Sequence, residues 1–260
     1  MNISVEQIQS NFLRKILGVP MCVPYAALCL ECGQDLMVTK AWLRTFKYWL
    51  RLHFNSDPAS YTHLLLSEYL SSNWLTCIEF KLGTLKLSLE SLSLLSESEA
   101  FLKIKSSLLD SDLEKLYEAT NKTCSPLNLG LLPRAEHMVP YLRQLHDPKL
   151  RRAFSLARFN ILPSAILSGR YHGISYSDRL CPCTKTHIET VPHVLLHCPF
   201  YQMLRLKCFN PTFNPTFIHL TELSDHYKVL FLLDNSDPEI IEIVAKFLYD
   251  AIAIHSVYQF

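Results

Sequence analysis

Apolar residues recur at three- and four-residue steps along most of the chain, and that period predicts helices. Val5, Ile8, Phe12 and Ile16 mark one face of a helix over residues 1–18, which Pro20 and Pro24 end. Ala26, Leu28, Leu30 and Leu36 define a second segment over 25–37. The clearest pattern covers 38–54, where Leu43, Phe46, Trp49 and Leu50, with Trp42, line one side. Lys40, Arg44, Lys47 and Arg51 recur on another side of the same segment. Asp57 and Pro58 signal the start of a helix over 61–70. Further helices are expected over 74–98, 102–117, 139–145 and 149–159, with a short turn of helix between Pro163 and Gly169. A last helix is expected over 239–258, started by Asp237 and Pro238. Residues 171–178 and 209–215 read as loops, and 124–133, with Pro126, Gly130 and Pro133, as an irregular linker.

The expected fold class is mainly α: a helical bundle-like region with a small segment near the C-terminal third in which Cys181, Cys183, His193 and Cys198 have the residue types and spacing of a zinc knuckle. Three segments follow: a helical region over 1–133, a basic helical segment with the knuckle over 134–210, and a helical tail over 211–260. Only 6 glycines in 260 residues argue against a meander of tight hairpins.

An apolar share of 49% is that of an ordinary globular chain. The first residues mix charged and polar groups at helical spacing and do not resemble a secretory signal. The apolar run from Ile240 to Tyr258 carries Glu242, Lys246 and Asp250, which does not suit a membrane span. An odd count of 9 irregularly spaced cysteines is a poor disulfide framework. The chain is therefore expected to be intracellular, in the nucleus, the cytoplasm or both, with its thiols free or on metal and no membrane partner.

Four residues concentrate the chemistry. Cys181-Pro182-Cys183 is followed after nine residues by His193 and after four more by Cys198. Three thiols and an imidazole suit Zn2+, a borderline-soft ion with tetrahedral sulfur and nitrogen ligands. A single residue between the first two cysteines still lets both grip one ion from an extended segment, because residues i and i+2 point to the same side. On a continuous helix His193 and His197 share a face, whereas Cys198 lies roughly 140° round from His193. Pro199 disfavours helix at Cys198 and favours unwinding there, so Cys198 is preferred as the fourth ligand and His197 is the alternate. His187 is a weaker candidate. A closed site with four protein ligands is structural, since zinc catalysis needs an open position. Cys29 and Cys32 form a C-x-x-C without a second pair or a neighbouring histidine, and are expected to be packing residues.

The stretches Arg152 to Asn160, Leu162-Pro-Ser164, Gly169 to Gly173, Cys181-Pro-Cys183, Glu189-Thr190, His193 to Leu196 and Cys198-Pro199 resemble the C-terminal region of a LINE-type, non-LTR retrotransposon reverse transcriptase. That family carries a cysteine-histidine knuckle after its polymerase domain. The runs Ala26 to Gly33, Lys40 to Leu43 and Tyr48 to Leu52 resemble the helical region between polymerase and knuckle. The resemblance implies Cys181, Cys183, His193 and Cys198 as zinc ligands. The chain departs from it in the single residue between Cys181 and Cys183, where many relatives have two.

A polymerase needs paired aspartates in an aromatic-x-D-D turn to hold two metal ions, and the sequence has no such turn. No enzyme activity is therefore expected. Residues 134–207 hold eleven basic and four acidic side chains, a local charge of +7 within a chain of net charge +1. Arg151, Arg152, Arg158, Arg170, Arg179, Lys185 and Arg205 are the expected phosphate contacts for RNA or single-stranded DNA, within a retroelement ribonucleoprotein. Phe154, Phe159, Tyr171 and Tyr201 read as core before stacking surfaces. The function expected is non-catalytic binding of nucleic acid. The alternatives are a zinc-stapled helical module for protein interaction and a decayed element with no selected role.

Overall fold

A computed structural model describes residues 4–55, 73–120, 129–131 and 137–258. These residues are mostly helical, and no strand occurs among them beyond one isolated bridge between Leu180 and Ile188. The helices are α1 (Val5–Leu17), α2 (Tyr25–Glu31), α3 (Met37–Asn55), α4 (Asn73–Thr84), α5 (Leu89–Ser93), α6 (Glu97–Thr120), α7 (Pro140–Gln144), α8 (Pro148–Arg158), α9 (Ala165–Tyr171), α10 (Gln202–Phe209), α11 (Asp225–Leu233) and α12 (Pro238–Tyr258). The expected helix over 61–70 and most of the linker over 124–133 lie outside the described residues.

The chain forms two compact units. The first takes Met1–Gln9 and Asp35–Tyr117. Its core gathers Phe46, Trp49 and Leu50 of α3, Leu75, Ile78 and Leu82 of α4, Leu92 of α5, and Ala100, Ile104 and Leu108 of α6. The periodic face read from 38–54 is the buried one, and each large side chain fully removed from water there contributes about 1.5–3 kcal/mol. The expected continuous helix over 74–98 is instead broken. Lys86 adopts a left-handed φ of 58°, and the Ser88 hydroxyl caps a new helix by accepting from Ser91 N. Ser96 and Glu99 then form a reciprocal capping box: Ser96 N donates to Glu99 Oε2 at 2.9 Å, and Glu99 N donates to Ser96 Oγ at 3.3 Å.

The second unit takes Ser10–Gln34 and Glu118–Phe260, so the expected segments 134–210 and 211–260 lie in it together with α2. Its centre is α12, which buries Ile241, Val244, Ala245, Phe247 and Leu248 and lies along α8. The Asp237 carboxylate caps α12 by accepting from Glu239 N at 2.8 Å. No described helix is long and apolar enough to cross a membrane. Helix α11 and the 3-10 turn Pro215–Thr221 extend the unit beyond the elements read from periodicity.

Helix α1 corrects one expectation. The face marked by Val5, Ile8, Phe12 and Ile16 is exposed, and the buried residues are Ser10, Leu13 and Leu17. Both stripes have helical spacing, and the one covered is that of Ser10, Leu13 and Leu17.

One buried ion pair spans most of the second unit. Arg158 Nε donates to Glu31 Oε1 at 2.5 Å and Nη2 donates to Oε2 at 3.3 Å, a bidentate pairing with both side chains excluded from water. Arg158 Nη1 also reaches the Leu233 carbonyl and, at 3.1 Å, Asp234. Burial works against the Arg158 charge, but Glu31 outweighs it and holds the guanidinium proton more firmly than in free arginine. On α2 itself, Cys29 and Cys32 are buried, and burial beside Glu31 pushes the Cys32 thiol up to about 12. These are packing cysteines and not reactive ones.

Candidate metal centre

The cysteine-histidine segment folds as two short pieces facing each other. In the first, the Leu180–Ile188 bridge closes a loop, with Cys181 N donating to the His187 carbonyl at 2.7 Å. Lys185 N returns to the Cys181 carbonyl at 3.0 Å, and Lys185 sits at a left-handed φ of 55°. A turn therefore brings Cys183 back toward Cys181, in place of the extended geometry expected for the pair. In the second piece, Pro192 opens a single π turn over His193–His197, and Cys198 N donates to the His193 carbonyl at 2.7 Å. A hydrogen bond from residue i+5 to residue i widens the turn and stacks Cys198 under His193, which an α-helix would not do.

The result gathers Cys181, Cys183, His193 and Cys198, with all four ligand atoms within 4.8 Å of one another. Cys181 Sγ and Cys198 Sγ are 3.6 Å apart, and Cys183 Sγ and His193 Nε2 are 3.5 Å apart. This Cys3His cluster can hold a metal ion. Burial raises the Cys181 and Cys198 thiols above their usual range. At Cys183, burial is outweighed by hydrogen bonds from Thr184 and the neighbouring thiols, and the group is held lower. A bound cation would displace these protons and turn mutual thiolate repulsion into coordination.

His197, the alternate ligand, points away: it is half exposed and its Nε2 lies 2.9 Å from Asp225 Oδ2. His187 is exposed and stacks on His193, with its Nδ1 2.9 Å from the Thr186 hydroxyl. Substituting Cys198→Ser is expected to abolish stoichiometric metal uptake, whereas His197→Ala is expected to leave it intact. Native mass spectrometry of both variants checks this; uptake lost in His197→Ala and kept in Cys198→Ser would reverse the assignment.

Two residues that spacing does not single out support the cluster. Glu189 is buried, with Oε1 3.8 Å from Cys181 Sγ, and its Oε2 accepts from Ala165 N at the start of α9 at 2.5 Å. The same carboxylate lies 3.2 Å from His255 Nε2, so α12 is tied to the cluster. Glu189 stands in the Glu-Thr pair of the family-like pattern, but His255 is 66 residues on and gives no local signal.

The expected phosphate contacts divide. Arg158 is buried in its ion pair and is not a surface residue, which corrects that assignment. Arg205 donates to the Val194 and Cys198 carbonyls, at 3.2 and 2.5 Å, and so closes the π turn. Arg179 donates to the Ile174 carbonyl through Nε and Nη2, at 3.0 and 2.8 Å, and so fastens the loop after α9. These two guanidinium groups are committed to backbone. Lys185 and Arg152 are exposed and Arg151 is half buried, while the side chain of Arg170 lies outside the described residues. Phe154, Phe159 and Tyr201 are core, and Tyr171 is exposed.

Comparison of the chain with protein-family models, with curated proteins and with solved structures finds no match in any of the three.

Proposed function

We propose that the chain is a non-catalytic module that binds RNA or single-stranded DNA, stapled by one structural Zn2+ and derived from a retrotransposon reverse transcriptase. The observation that carries the zinc reading is the pair of edges in the Cys3His cluster, 3.6 Å between sulfurs and 3.5 Å between sulfur and nitrogen. Zn–S bonds of about 2.3 Å and Zn–N bonds of about 2.05 Å in a tetrahedron require edges of about 3.8 and 3.6 Å. Four protein ligands fill such a site, so the ion supplies folding energy and takes no part in catalysis. Cys181, Cys183, His193 and Cys198 would hold it, with Glu189 orienting the shell from Cys181 to His255.

The nucleic-acid reading is supported by the excess of basic residues over 134–207 and by Arg151, Arg152 and Lys185, which are not committed to acidic partners among the described residues. The retroelement origin is supported by the sequence pattern around the cluster. Filter binding of single-stranded RNA to the zinc-loaded chain tests the reading. Binding that weakens steeply with salt is expected; absence of binding at low salt overturns it.

A second reading, a helical module for protein interaction, is favoured by one observation. Val5, Ile8, Phe12 and Ile16 leave an apolar stripe on α1 facing solvent.

A further inference from the structure

A second concave site lies within the same unit, away from the Cys3His cluster. Lys15 near the end of α1, and Lys149, Arg151 and Arg152 on the first turns of α8, surround a cavity of about 450 Å3. Its lining also includes the apolar side chains of Ile16, Leu156, Tyr249 and Ile252, and no acidic residue lines it. None of the four cations has an acidic partner among the described residues.

The cations are placed and not merely nearby. Arg152 Nε donates to the Gly18 carbonyl at 3.0 Å, which holds its guanidinium at the rim and leaves Nη1 and Nη2 for a ligand. Gly18 adopts a φ of +65°, and a Cβ on it would fall 2.7 Å from Arg152 Cγ, so the chain passes flush against this side chain. Arg151 Nε is buried in the structure with no hydrogen-bond partner. Asp147 already accepts from Lys149 N, so side chains, and not the helix start, present the donors.

Four like charges around one concavity repel each other until an anion enters. Guanidinium forks match the oxygens of a phosphate. The apolar part of the lining and the exposed Tyr249 suit a flat ring attached to that phosphate, and the volume is that of a small-molecule pocket.

We propose that this cavity binds a phosphate ester carrying a ring, that is, one nucleotide unit, with Lys15, Lys149, Arg151 and Arg152 around the phosphate and Tyr249 beneath the base. That the nucleotide belongs to an RNA or single-stranded DNA chain, and not to a free nucleotide, rests on the function proposed above.

Two probes separate the sources: a short single-stranded RNA and adenosine diphosphate, each titrated against the zinc-loaded full chain. The test variant is Lys149→Gln with Arg151→Gln, which spares the Arg152–Gly18 contact. The control is Lys103→Gln with Lys105→Gln, two exposed lysines on α6. The test variant is expected to lose about tenfold or more in RNA affinity, and its log–log salt slope is expected to flatten by about 1, while the control matches the parent. Thermal melts confirm that each variant is folded; if the test variant is not, Lys15→Gln with Lys149→Gln, both exposed, takes its place. If test and control variants both bind RNA as the parent does, the cavity proposal falls and the nucleic-acid reading stands. If the parent binds diphosphate but no RNA, and the test variant loses the diphosphate, the cavity stands as a free-nucleotide site and the nucleic-acid reading falls. If the parent binds neither probe, both fall.

Discussion

In the chain loaded with Zn2+, stripping the ion with a chelator, or substituting Cys181→Ser, is expected to unfold the segment from Leu180 to Tyr201 and to loosen α12 with it. Cys181 and Cys198 are fully buried beside Glu189 and Tyr201, so without an ion the centre is held only by weak sulfur hydrogen bonds next to a buried carboxylate. Structural zinc contributes an apparent ~10–16 kcal/mol in small zinc-bound folds. That matches or exceeds the ~5–15 kcal/mol total stability of an ordinary domain. The loss spreads because Glu189 touches α9 through Ala165 N and α12 through His255, while Arg205 clasps the Val194 and Cys198 carbonyls. Amide exchange of the intact chain, with and without chelator, reports it directly. Unchanged protection across 180–201 after verified metal removal would show that the cluster is held by packing alone.

Substituting Arg158→Met is expected to destabilise the second unit by about 3–5 kcal/mol, because it leaves Glu31 buried and unpaired. In a unit of this size that lowers the melting temperature by roughly 10 °C. Glu31→Leu alone is expected to cost less, because Arg158 keeps the Leu233 carbonyl and Asp234. Together the two changes should recover most of the loss, since burying two hydrocarbon chains is often no worse than burying an ion pair. The recovery is bounded by Asp234 and the Leu233 carbonyl, which also receive Arg158 and lose a donor wherever Arg158 is replaced. A double-mutant cycle by thermal or denaturant melting measures the coupling. Additive losses in the double variant would mean that the two side chains do not act as a pair.

The mainly helical fold is legible in the sequence because α3, α8 and α12 carry strong periodicity, but the Leu-rich run over 74–98 masks both the break at Lys86 and the Ser96–Glu99 capping box. The gathering of Cys181, Cys183, His193 and Cys198 is legible from residue type and spacing. Pro199 correctly signals that Cys198 leaves the α-helical path, but the device that turns it inward is the π turn, which no residue type announces. What the sequence hides is which cations face inward. Arg158 follows Phe154 by one helical turn and so shares its buried face, yet its partner Glu31 is 127 residues away. Arg179 and Arg205 have the composition of phosphate contacts and the geometry of backbone clamps. On α1, two stripes have the same period, and only the packed structure says which one is covered.

The position of Glu31 also bears on the order in which the chain can fold. The second unit begins at Ser10, breaks off at Gln34 and resumes at Glu118, with most of the first unit lying in between. During synthesis α2 therefore emerges before its partner and must wait, with its carboxylate unmatched, until Arg158 has been made. His255 closes the other end, since its contact with Glu189 forms only when the last helix is available. A fragment starting at residue 134 keeps every ligand of the Cys3His cluster but carries Arg158 without its counter-charge. The smallest form of the Cys3His unit that keeps this ion pair is thus set by Glu31, and not by the cysteines that mark the cluster.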